Sequence, residues 1–282
     1  MSQKIDFHVH VTPPEISNAA AAIAEREPYF GLLAASPKNK FAAAGEVIAE
    51  LDRAGFDRAV IFGFAFKDLG RCRAVNDYVI AAVREFPQRF CGFAVVPPNH
   101  PDAAAEIERC HDAGLCGVGE LFPAGQDIRI DDAAETTRFA GCCIERDLPV
   151  LLHTNEPVGH YYPGKTDTTL RQLELFVEHH RRLKIVLAHW GGGLLFYELM
   201  KELRDTFANV YYDTAASPFL YTPGIYRTAV ALGLQRKILF GSDFPLIPLS
   251  RYVAEIDAGG ITEEDAALLY GGNAAGLLKL RD

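Results

Sequence analysis

The chain has 282 residues, 49% hydrophobic and 23% charged, with a formal charge of −9. That is ordinary globular usage with ample apolar material for a large core, and the acidic balance argues against a nucleic-acid backbone or an anionic membrane as main partner. A small anionic substrate is not excluded, because a metal ion and one arginine reverse the local sign.

The opening residues, MSQKIDFHVH, hold no apolar segment of the secretory kind, and no 18-residue apolar run follows. Neither a signal peptide nor a membrane span is expected, so the chain reads as soluble and cytoplasmic. The first strand is expected at Lys4–His10. Residues 11–43 are too long for one loop and mix turn signals with aromatics; we expect an excursion over the top of the fold that could serve as a lid. A helix over Ala44–Ala54 leads into strand two at Arg58–Phe64, and a helix over Val75–Phe86 into strand three at Phe90–Val96. The pattern repeats with helix Ala103–Ala113 and strand Gly117–Leu121, then helix Ala133–Arg146 and strand Pro149–His153. Helix Leu170–His180 precedes strand Lys184–His189, helix Leu195–Phe207 precedes strand Val210–Asp213, and helix Tyr226–Leu232 precedes strand Ile238–Asp243. Runs such as AVIFGF, VLLH and IVLAH are apolar without alternation, as parallel strands buried on both faces require.

Eight such units make a (β/α)8 TIM barrel, α/β in class, the economical reading. An open doubly wound sheet would want a Gly-rich phosphate turn after strand one, and HVHVTPPE is not one. No linker, repeat or low-complexity tract divides residues 1–282, so a single domain is expected. The six cysteines show no C-x-x-C spacing, which fits reduced thiols.

Chemistry enters at strand ends. His8 and His10 are two apart on one strand, so their side chains share a face and can reach one cation. Two imidazoles make half of a zinc-type site. His153, His189 and Asp243 each end a predicted strand, and barrel closure brings those ends to one rim, where active sites of this fold sit. Glu120 follows an apolar run in strand four; a structural carboxylate and a site residue are equally consistent with that. Trp190 and Tyr161–Tyr162 could wall a pocket or merely pack. Lys67, Arg71 and Arg251 could hold a substrate carboxylate, although surface charge is the commoner fate of such residues. The His179-His180 pair, flanked by arginines, reads as solvated surface, and His100 and His111 have no ligand partner at a useful spacing. Gly191-Gly192-Gly193 fits close backbone packing better than a phosphate cradle.

The set D-x-H-x-H, H, H-x-G-G and G-S-D-x-P resembles the amidohydrolase superfamily, in its amidohydrolase-2 branch of decarboxylases and lactonases. The tail from Gly271 to Leu278 is similar to the helix that closes these barrels, so the likeness spans residues 5–280. It implies that His8, His10, His153 and Asp243 bind a divalent ion, zinc by preference and manganese as the alternative. It also implies that Asp6 orients a histidine. In two-metal relatives, strand four supplies a bridging group, and Glu120 stands there. With no lysine at that position, one metal is favoured over two. Catalysis falls to His189 and Asp243, with Trp190 and Arg251 at the substrate. The leading expectation is a hydrolase of a small amide, lactone or ring carbonyl using a metal-activated water. The alternative is non-oxidative decarboxylation of an aromatic or dienoic acid, and a non-enzymatic metal-binding barrel comes third. The partner is a small molecule, with a homo-oligomer left open.

Overall fold

The computed structural model describes residues 3–280. Eight parallel strands run in sequence order: β1 Ile5–His10, β2 Arg58–Phe62, β3 Phe90–Ala94, β4 Gly117–Leu121, β5 Val150–Leu152, β6 Ile185–Leu187, β7 Val210–Asp213 and β8 Ile238–Leu239. The ring closes between the segment after β8 and β1. Phe7 N–H donates to the Phe240 carbonyl at 2.7 Å, Asp243 N–H to His8 at 3.0 Å, and His10 N–H to Phe244 at 2.8 Å. This is the expected (β/α)8 barrel. The strands are apolar on both faces because side chains fill the interior while helices cover the outside.

Several elements differ from the sequence reading for local reasons. The last strand ends at Leu239, short of the expected Asp243, which itself adopts φ 59°, a left-handed conformation that an extended ladder cannot accommodate. The helix before β3 starts at Leu69 rather than Val75, since the Asp68 side chain caps it by accepting the Arg71 N–H at 2.8 Å. The segment expected as one helix over 195–207 is a tight 3-10 turn, Leu194–Leu199, then a helix over Lys201–Thr206. Met200 between them is extended, at ψ 123°.

Within residues 11–43 three short helices form: Pro14–Asn18, Ala20–Ala24 and Pro28–Ala34. The segment lies against loops that leave the C-terminal strand ends. Phe30 packs on Phe64 and Phe66 at 5.3 and 5.2 Å between ring centroids, and Tyr29 on Phe122 at 5.3 Å. The Glu27 carboxylate accepts the Lys67 and Asp68 N–H groups, each at 3.2 Å.

His180 corrects the reading of the His179-His180 pair as solvated. It is 6% exposed at the end of helix Leu170–His179, and its Nε2 meets Thr136 Oγ1 at 2.8 Å. Burial, with the neighbouring His179 charge, pushes its pKa down to about 4. An unfolded histidine titrates near 6.5, so the unfolded chain gains this proton first as pH falls. Stability from this site is therefore lost from about pH 6.5 down to about 4. We expect His180→Gln to flatten that part of the stability profile, lowering proton uptake on unfolding at pH 5 by about one. Urea titrations at pH 7 and pH 5 measure it, and an unchanged pH dependence would assign the slope to other groups.

Candidate metal centre

Four imidazoles and three carboxylates from six strand ends converge at the C-terminal mouth. His8 Nε2 lies 3.3 Å from His10 Nε2, and Glu120 Oε2 lies 3.5 Å from each. Asp243 Oδ1 stands 3.3 Å from His10 Nε2 and 3.7 Å from His8 Nε2. His8, His10 and Asp243 present one donor atom each within 4.8 Å of one another, and so do His8, Glu120 and His189; either trio could hold a cation. His153 is in neither trio. It reaches the cluster through Glu120, with Nδ1 2.9 Å from Oε1. His189 Nε2 lies 3.5 Å from that same Oε1.

Three of the rings have their tautomer set from behind. His8 Nδ1 donates to Asp213 Oδ2 at 2.8 Å, which leaves Nε2 facing the cluster, a lone pair once that nitrogen gives up its proton. His189 Nδ1 meets the Ala215 carbonyl at 3.0 Å. His153 Nε2 meets the Gly164 carbonyl at 2.9 Å, and a ring donating there turns a lone pair onto the Glu120 carboxylate. Lone pairs facing lone pairs and carboxylates in a buried space need protons or a cation between them. Without a cation, protons fill that role. Burial opposes charge on His8, yet Asp213 and Glu120 hold its pKa well above the usual histidine range. Burial also opposes charge on His189, and Glu120 and Asp243 raise it to about 9. Burial disfavours the carboxylates in turn, but the histidines hold Glu120 well below its usual range and Asp243 at about 2. The donor set of nitrogen and carboxylate oxygen fits a divalent ion such as zinc or manganese.

Main-chain geometry delivers these groups. His189, Trp190 and Gly191 to Gly193 all have positive φ, from 55° to 93°. The turn is glycine-rich because a Cβ on Gly192 would lie 2.3 Å from the Asn155 carbonyl oxygen. Asn155 Oδ1 in turn accepts the Thr166 N–H at 3.0 Å, which folds the loop after β5 back so that Gly164 reaches His153. Phe62 packs edge-on against His8 and His10 at 5.1 and 4.9 Å, and Phe122 against His153 at 4.7 Å.

Asp213 was missed, although it carries the same signal as the others: a buried strand, VYYD, ending in a carboxylate. It is fully buried, and its Oδ1 accepts the His189 and Ala215 N–H groups at 2.9 and 3.0 Å. Asp213 takes the ring-orienting role expected of Asp6. Asp6 instead clamps main chain, accepting the His8 N–H at 3.2 Å and the Ser242 N–H at 2.9 Å, and burial lifts its pKa to about 7.

The expected substrate contact at Trp190 does not hold. The indole is fully buried, donates to Ser217 Oγ at 2.9 Å and packs on Tyr226. The cavity it lines, with Tyr226, Ile238 and Leu269, lies in the layer between barrel and outer helices. The positive φ at Trp190 turns the side chain there. Arg251 is exposed at the rim, donating to the Pro218 carbonyl at 3.2 Å and stacking on Phe219 at 4.8 Å. Lys67 pairs with Asp127 and Arg71 with Glu27. Tyr161 is exposed, and Tyr162 donates to Glu156 Oε2 at 2.8 Å.

Residues 5–280 match the family model described as amidohydrolase. The chain is 28% identical over 251 residues to gamma-resorcylate decarboxylase from Polaromonas sp. (strain JS666), covering 74% of this chain and 76% of the relative. 5-Carboxyvanillate decarboxylase from Sphingomonas paucimobilis superposes over 100% of both chains with a TM-score of 0.79 at 20% identity. Dihydroxybenzoic acid decarboxylase from Polaromonas sp. JS666, solved with manganese and 2-nitroresorcinol, superposes with a TM-score of 0.73 at 21% identity, over 100% of this chain and 98% of the other.

A divalent cation offered to the cluster at pH 7 is expected to displace protons from the raised imidazoles, so that affinity rises with pH. Calorimetric titration with manganese in two buffers of different ionisation heat reads the release, and none would show that the cation binds elsewhere. Asp213→Asn should weaken binding by about 10- to 100-fold with the fold intact.

Proposed function

The chain belongs to the amidohydrolase family, and from that premise we propose that it is a metal-dependent, non-oxidative decarboxylase of a hydroxylated aromatic carboxylic acid. This reverses the order drawn from sequence, in which hydrolysis came first. The observation that carries it is the 28% identity, over three quarters of the chain, to a gamma-resorcylate decarboxylase. The manganese in a structural neighbour makes manganese the first ion to test, ahead of zinc.

We assign His8, His10 and Asp243 as ligands of one cation, with Glu120 and His153 completing the set. Such a cation would supply Lewis acidity and an anchor for the substrate's carboxylate and neighbouring hydroxyl. The rest of the work is the protein's. Phe62 and Phe122, buried against the histidines, exclude water from that side of the cluster.

Breaking the ring–carboxylate bond leaves its electron pair on the ring carbon, which must then take a proton while carbon dioxide departs. His189 is the proposed donor. The Ala215 carbonyl fixes its ring and leaves Nε2 toward the cluster. Its pKa of about 9 in the cation-free cluster keeps the ring charged at neutral pH. Nearby positive charge lowers that value toward neutrality, where proton transfer is most effective. Asp243 remains anionic, and solvent restores the proton after turnover.

Manganese-loaded protein given 2,6-dihydroxybenzoate or 5-carboxyvanillate in deuterated water should release carbon dioxide and place deuterium on the former carboxylate carbon. Hydrolysis of lactones without carbon dioxide release from any acid would overturn the reading. His189→Asn should keep its metal while the rate falls by about 10² or more. His153→Ala should lose metal content as well as activity, and full occupancy would reduce His153 to a partner of Glu120.

A further inference from the structure

The loop after β5 carries an acid that the chemistry above does not use. Glu156 is partly buried, and its Oε2 accepts the Tyr162 hydroxyl at 2.8 Å. Its Oε1 is shut off from solvent and has no hydrogen-bond partner. A carboxylate can accept on both oxygens, and a buried acceptor left empty is destabilising.

Main-chain contacts on either side seat this acid beside the mouth. The preceding carbonyl, that of Asn155, fills the space that a Cβ on Gly192 would need, in the turn that carries His189. Further along the loop, the Gly164 carbonyl meets His153 Nε2 at 2.9 Å. The loop is therefore tied to the histidine cluster at two points, with Glu156 and Tyr162 between them. A Cβ on Gly193 would lie 3.7 Å from the Tyr221 hydroxyl, so a second phenol borders the same turn. Burial and the Glu156 charge push both phenols upward, and Asp243 of the cluster adds to the effect at Tyr162. Both rings thus stay protonated. Tyr162 donates to Oε2, and Tyr221 makes no hydrogen bond to Oε1.

We propose that Glu156 Oε1 selects the substrate by accepting a hydrogen bond from a second ring substituent, a hydroxyl or amino group that the cation does not hold. The inference rests on the aromatic-acid reading above and adds a requirement to it. Besides the carboxylate and the hydroxyl next to it, the ring must carry a further donor. A ring without one would cover Oε1 and keep water from it while offering no bond in return, so the site discriminates against it. A ring with an O–H or N–H completes the carboxylate, and the bond is charge-assisted, about twice as strong as a neutral one. Tyr162 holds Oε2 and so keeps the other oxygen turned toward the incoming ring.

Two coloured phenols test this without turnover: 2-nitroresorcinol, and 2-nitrophenol, which lacks the second hydroxyl. Absorbance titrations of manganese-loaded protein should show about 10- to 100-fold tighter binding of 2-nitroresorcinol. In Glu156→Ala that ratio should fall toward one, through weaker 2-nitroresorcinol binding, while metal content and circular dichroism stay unchanged. Glu156→Gln, whose amide oxygen still accepts, should keep part of the preference. Equal affinity for the two phenols before substitution, or a preference that survives Glu156→Ala, overturns the proposal alone. If neither phenol binds the metal-loaded protein, the proposal falls together with the aromatic-acid reading.

Discussion

Asp213 ends β7 fully buried and divides its two oxygens between a side chain and the main chain. One oxygen accepts the His8 Nδ1–H, so the opposite nitrogen faces the mouth. The other accepts two N–H groups, from His189 and Ala215, and so fixes the turn after β6 against the turn after β7. Three strand ends are thereby held in one arrangement by a single carboxylate. A buried acceptor with three charge-assisted donors is strong where solvent is excluded and costly to disturb. The positions of His8 and His189, and through them the shape of the mouth, follow from that anchor.

The parallel barrel makes such crowding tolerable. Every strand points its C-terminal end to the same rim, so polar residues that would be isolated in a flat sheet meet there and satisfy one another. Each imidazole is paired with a carboxylate, and the whole is packed against Phe62 and Phe122. The apolar walls strengthen every interaction inside them by keeping the local dielectric low.

Much of this was legible in the sequence, because the signals were periodic or terminal. Continuous apolar runs at regular intervals gave the barrel, and histidines or acids closing those runs gave His8, His10, His153, His189 and Asp243. What escaped depended on side-chain direction. Trp190 sits beside His189 in sequence, yet a left-handed backbone sends it into the helix layer. His180 looked solvated among arginines, but a helix end turned it toward Thr136. Asp213 carries the same strand-end signal as Asp243 but stands in no motif. The early start of the helix before β3 turned on one capping side chain, Asp68, which hydrophobic periodicity does not register.

Two of the three acceptors that set histidine tautomers, at Ala215 and Gly164, are main-chain carbonyls. A point mutation replaces a side chain and leaves the peptide oxygen in place. The codons at 164 and 215 can therefore drift, within the limits of backbone conformation, while the rings they orient keep the same nitrogen forward. Heritable variation reaches this layer of the site directly at one position alone, Asp213. Loops around the mouth are thus free to diversify without passing through intermediates that have lost the orientation of these rings.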